Sequence, residues 1–375
     1  MEGPLKKPPI RWLRLASLLL AAGAPAAAQL PTSLTDSSFA ALSARLSEPG
    51  GFFDTDNLIS NEDSYLHAIT TLERLEVHGG AYLGVGPDQN FSYIAAVRPQ
   101  IAFIIDIRRD NLLEHLLYQA VFALSRNRLE FLCLLFGKVP PPHTEAWVAK
   151  DITDLLGYID AAGADSTAAL ARVGRRVAGL GIALTSADRS TIAGFHRIFF
   201  SRGPALRMTT FNRPERTDYP DYRRLLLETD RTGRRASYLT AETAFRTVKD
   251  LEDRNLVVPV VGDFAGPKAI TLIAQYLRSH DAVTSVFYTS NVEQYLVQDG
   301  LMDRFRRNVE QLPRGASSVI VRSYFPYGRP HPQWVSGYLT VQLVQRMDRF
   351  LAAQPESGGY QSYYDLVTKD LIEPR

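Results

Sequence analysis

The stretch "GGAYLGVGPDQNFSYIAAVRPQIAFIIDIRRDN", residues 79–111, constrains the fold more than any other part of the chain. Residues 81–85 read as a short apolar strand, Gly84 and Gly86 supply a turn, and Pro87 suits the first position of the next helix. Pro99 closes that helix, and "IAFIID" is the continuous apolar run a parallel strand needs when both faces are buried. A strand, helix and parallel strand in succession predict a right-handed crossover.

The same rhythm returns after residue 239. Thr240 caps a helix bearing Phe245, Val248 and Leu251, and "NLVVPVVGDF", "VTSVFYTSN" and "SSVIVRSYF" read as strands separated by helical segments. "VSGYLTVQLVQRMDRFLAA" reads as a late helix. Five strands alternating with helices predict an α/β class with a doubly wound, mostly parallel sheet. Residues 52–137 form its first half and 240–375 its second, with C-terminal helices. Between them, 138–239 contain helical patches and no buried-strand pattern, and read as a large helical insertion or cap. In "NLISNEDSYL", Ser60 and Asp63 have capping-box spacing. Residues 29–51 are a polar lead-in ending in Glu48-Pro49-Gly50-Gly51, so the folded body is expected to begin near Phe52.

Residues 1–28 combine Lys6, Lys7, Arg11 and Arg14 with an apolar run and Ala26-Ala27-Ala28, the pattern of a cleaved export signal. The expectation is an exported protein, periplasmic or extracellular, with no transmembrane segment in the mature chain; the alternative is anchoring by an uncleaved leader. Removing four bases and one acid takes the formal charge from +2 to −1, which excludes a general polyanion binder, and no nucleic-acid partner is expected. The single Cys133, in "LEFLCLLF", reads as a buried hydrophobe.

Ligands of such sheets bind beyond the carboxyl ends of the strands. Gly84, Gly86, Asp88, Asp106, Asp263, Tyr288 and Asn291 fall there. Gly84-x-Gly86 followed by Gln89 lacks the third glycine of a dinucleotide fingerprint, and Asp88 in the helix's first turn repels a pyrophosphate. A zwitterionic or cationic ligand is less penalised. Asp106 is placed for a ribose contact, or else to cap a helix or pair with Arg108 or Arg109. Ser290 and Glu293 have capping-box spacing, so "TSNVEQYL" reads equally as a plain helix start. No G-x-S-x-G or H-E-x-x-H is present, the seven histidines lack metal-ligand spacing, and no metal is expected. His115 reads as a core histidine, and the arginines of 197–235 as a solvated ion-pair surface.

This order of parts resembles the class I S-adenosylmethionine-dependent methyltransferases: a glycine turn, an acid ending strand two, "GD" ending strand three and a polar end to strand four. In that family strand three is a sheet edge, which suits Pro259. The resemblance implies S-adenosylmethionine as cofactor, with Gly84 and Gly86, beside Asp88, near its methionine part, Asp106 at the ribose, Asp263 at the adenine, and an acceptor near Tyr288 or Asn291. This chain departs from the pattern at Tyr82, Asp88 and "YTSN", and shows no clear C-terminal hairpin. The phrases "FFDTDNLISNEDSYL", "VVGDFAGPKAI" and "FYTSNVEQYL" are also similar to an uncharacterised bacterial family with no assigned activity. Two functions follow as expectations: a methyltransferase-like protein binding S-adenosylmethionine or another nucleoside-type molecule, or an exported non-enzymatic binding or structural protein that keeps a Rossmann-like fold.

Overall fold

The structure is a computed structural model that describes residues 1–3, 29–353 and 359–374. The expected leader and its cleavage point at Ala28 lie outside the described residues apart from the first three. In chain order, α1 (Asp36–Leu46), α2 (His67–Arg74), β1 (Ala81–Gly84), α3 (Gln89–Val97), β2 (Ile101–Asp106), α4 (Arg109–Leu124) and α5 (Arg128–Leu135) come first. Helices α6 (Ile152–Ala161), α7 (Ser166–Ala178), α8 (Ser186–Arg202) and α9 (Tyr222–Leu227) follow. Then come α10 (Glu242–Asp253), β3 (Val257–Val261), α11 (Ala269–Ser279), β4 (Thr284–Ser290), α12 (Val292–Gln298), α13 (Met302–Gln311), β5 (Arg314–Tyr324), β6 (Val341–Arg346), α14 (Met347–Ala352) and α15 (Tyr363–Thr368).

The strands form one sheet of order β3-β2-β1-β4-β5-β6. Strands β1 to β5 are parallel and β6 runs antiparallel to β5. Every residue of β2 and β3 is buried, which is why their sequences run apolar without alternation. Strand β3 is an edge, where Pro259 removes no needed donor. The strand order reverses between β1 and β4, so the carboxyl ends of these two strands flank the natural crevice.

Three expectations need correction. The late helix is instead a strand over Val341–Arg346, followed by one short helix. Its alternating "VQLVQR" covers the open edge of β5, with Val341 opposite Tyr324 and Arg346 opposite Val319, so the C-terminal part does contain an antiparallel strand pair. The folded body also begins before Phe52, because Phe39, Leu42 and Leu46 of α1 sit on one helical face and enter the core. After α1 the chain crosses the carboxyl ends of β3 and β2 as a strap: Glu48 N donates to Val261 O (3.0 Å) and Gly51 N to Ile107 O (2.7 Å). Finally, neither capping box forms. Asp63 accepts from Leu339 N and Thr340 N, Ser290 reaches Glu62, and Glu293 pairs with Arg322.

Candidate functional site

The turn after β1 is held by its own helix. Asn90 Nδ2 donates to the carbonyls of Val85 (2.9 Å), Gly86 (3.2 Å) and Pro87 (2.7 Å), while its Oδ1 accepts from Tyr82 (2.8 Å). A Cβ on Gly84 would lie 2.0 Å from that Oδ1, so close approach within the chain already demands this glycine. Gly86 has φ +82°, in the left-handed region that favours glycine, and its carbonyl accepts from His115 Nε2 (2.9 Å). Asp88 is buried and turns toward the segment after α8, where Oδ2 accepts from Tyr238 (3.1 Å) and from Tyr222. Burial pushes its pKa up to about 6, against the pull of the two tyrosine hydroxyls.

At the end of β2, both oxygens of Asp106 are engaged by Arg108, through its backbone N (2.8 Å), Nε (3.2 Å) and Nη2 (3.1 Å). Arg108 Nη1 in turn donates to the strap carbonyls of Thr55 (3.3 Å) and Asp56 (2.9 Å). At the end of β3, Asp263 Oδ1 accepts from Ala265 N (2.8 Å), and its own N–H donates to Glu48 Oε1 (2.7 Å). The strap therefore lies across the ends of β2 and β3, on the groups a nucleoside would need.

At the end of β4, Tyr288 donates to Glu62 Oε2 (2.6 Å) and accepts from Gln89 Nε2 (3.3 Å). Glu62 also accepts from Ser290, Ser323 and Gln342 Nε2 (3.1 Å), which ties the segment before α2 to β4, β5 and β6. Asn291 stands at the start of α12. Six of the seven expected residues thus fall into three local groups: Gly84, Gly86 and Asp88; Asp106 and Asp263 under the strap; Tyr288 with Glu62; the seventh, Asn291, accepts from Ser290 Oγ (3.4 Å). Gln89 joins the first to the third.

Sequence reasoning missed Gln89, Asn111 and Glu114, and took His115 as core. These four are 6, 1, 1 and 2% exposed, yet Gln89 Oε1, both amide atoms of Asn111, Glu114 Oε1 and His115 Nδ1 have no hydrogen-bond partner among the described residues. Asn111, Glu114 and His115 share one face of α4 at i, i+3 and i+4, His115 touches Gly86, and the Gln89 side chain would lie 3.1 Å from a Gly86 Cβ. Burial raises the Glu114 pKa well above the usual carboxylate range, opposed by Arg108 and reinforced by Asp88, Asp56 and Asp106. Burial likewise lowers His115 to about 4, so the ring is neutral at neutral pH. The available signal was "NLLEHLLYQ", in which polar residues recur at helical spacing beside the leucines.

The other expected features are local. Cys133 is free and buried. Arg213, Arg216, Arg223 and Arg235 pair with Asp54, Asp218, Asp160 and Asp151 at the surface. Among the described residues, no group of three or more His, Cys, Asp or Glu is placed to hold a metal, and no helix is long and apolar enough to cross a membrane. No curated protein matches the chain. The profile of a domain of unknown function (DUF7790) matches residues 58–179 and 185–370, most of the chain, and the protein belongs to that family.

Proposed function

We propose that this protein binds a small polar molecule beside the turn after β1, and that it keeps a doubly wound, Rossmann-like sheet as a binding protein without methyl transfer. The observation that carries this reading is the set of unpartnered buried atoms on Gln89 and His115, which lie against Gly86, and on Asn111 and Glu114, which share the His115 face of α4. Each such atom costs about 1–3 kcal/mol unless something bonds it. Several together mark a place that a ligand fills when bound.

S-adenosylmethionine does not fit the chain as it is folded. Asp106, the ribose contact, is held by Arg108, and the Asp263 amide, at the adenine end, by Glu48. Displacing them would break a buried ion pair and lift the strap. The export signal expected in residues 1–28 supports the same reading, because it would send the chain away from the compartment where that cofactor is made.

One observation favours a second reading, a methyltransferase-like enzyme: the order β3-β2-β1-β4-β5, with β3 at an edge and reversal between β1 and β4. That enzyme would lift the strap, free Asp106 and Asp263 for the nucleoside, and seat an acceptor near Tyr288 or Asn291. Calorimetry with S-adenosylmethionine and S-adenosylhomocysteine separates the two. The binding-protein reading expects no heat at millimolar ligand. Heat that disappears in Asp106→Ala, with the fold intact, would replace it with the second.

A further inference from the structure

We infer that the molecule bound beside Gly86 is a small organic cation rich in N–H donors, held by Gln89, Asn111, Glu114 and His115; this rests on the binding reading given above. The hydrogen-bond inventory sets the chemistry. Gln89 Oε1 and Asn111 Oδ1 can only accept. His115 donates its Nε2 proton to the Gly86 carbonyl, which leaves Nδ1 of the neutral ring as a lone pair. Glu114 Oε1 accepts once ionised, and Asn111 Nδ2 is the one obligatory donor in the set. A complementary ligand brings more donors than acceptors.

Charge points the same way. Asp88, Asp56 and Asp106 all act on Glu114 in the direction of like charge, and the opposing Arg108 is already paired with Asp106. An anion placed there would add to an excess of carboxylates, whereas an ammonium or amidinium relieves it. Such a cation also favours the ionised form of Glu114. Binding of such a cation therefore acts against the burial and the neighbouring carboxylates that disfavour the ionised acid.

The test uses the purified full chain with agmatine and putrescine as probes, and D-ribose, succinate and Mg2+ as comparators. Melting curves and calorimetry are read. Agmatine or putrescine at millimolar concentration should raise the melting temperature and give a saturable heat of binding. Asn111→Leu should weaken that binding by about tenfold or more. The unliganded variant should melt no lower than the wild type, since it loses unpaired polar atoms without leaving a hole. Stabilisation by ribose, succinate or Mg2+ instead, lost in Asn111→Leu, would keep the site and overturn its cationic class. No stabilisation by any probe, or binding of the diamines unchanged in Asn111→Leu, would overturn both.

Discussion

Glu62 and Glu114 are each 1% exposed at the strand ends, and they differ in what meets them. Glu62 accepts from Tyr288, Ser290, Ser323 and Gln342, whereas Glu114 keeps one oxygen with no partner. A saturated buried acid is a structural clasp, because its lone pairs already hold neighbouring segments together. An unsaturated one is a standing free-energy penalty that a bound group can relieve. Burial alone therefore says nothing about which acid serves a ligand; the state of its hydrogen bonds does.

The largest effect expected from this contrast is at Glu62. Replacing it with alanine strands three hydroxyls and an amide N–H in the interior, and should lower the unfolding free energy by about 4 kcal/mol or more in urea titration. Glu62→Gln keeps the volume but turns an N–H group toward donors, and should cost about 2–3 kcal/mol. A loss under about 1 kcal/mol for Glu62→Ala would mean that the clasp is not what fixes the segment before α2.

The next effect is read against pH. His67, His115 and His196 are buried with pKa values lowered to about 4, mainly by desolvation, so the native state binds fewer protons than the unfolded chain. Their contribution is complete above about pH 6.5 and is lost as pH falls toward 4. Asp88, raised to about 6 by burial, has the opposite sign: its contribution is present below about pH 4 and lost as pH rises through 6. Relative to the wild type, Asp88→Asn should therefore gain about 2 kcal/mol between pH 4 and pH 7, read from paired urea titrations. A pH-independent difference would show that the tyrosine hydroxyls compensate the burial of Asp88 in full.

The same contrast explains how far the sequence could be read. Strands β1, β2, β3 and β5 were legible because glycine or proline bounds their apolar runs, and β4 because a β-branched and aromatic run, "VTSVFYTSN", stands between two helical segments. Strand β6 was not, because "LTVQLVQRMDRF" also satisfies helical spacing, and only the open edge of β5 decides the matter. Glycine at 84 and 86 was legible as a turn, but the reason for Gly84 is Asn90, a contact within the chain. The breaker Glu48-Pro49-Gly50-Gly51 was legible as an end of α1; that it returns over β2 and β3 depends on tertiary placement. Asn111 and Glu114 were hidden by the leucines beside them, since periodicity shows an apolar face and not whether the opposite face is also buried.

The smallest effect is the one that separates the two acids. Glu114→Gln removes a carboxyl whose Oε1 bonds nothing and whose charged form is opposed by burial and by Asp88, Asp56 and Asp106. The amide has the same shape, needs no ionisation and can direct its N–H toward the acceptors nearby. Unfolding free energy should therefore not fall below that of the wild type at neutral pH, in contrast to the loss from the identical change at Glu62. Equal losses at the two positions would mean that Glu114 is held by bonds as firm as those on Glu62, and the strand-end surface would then contain two clasps and no ligand site.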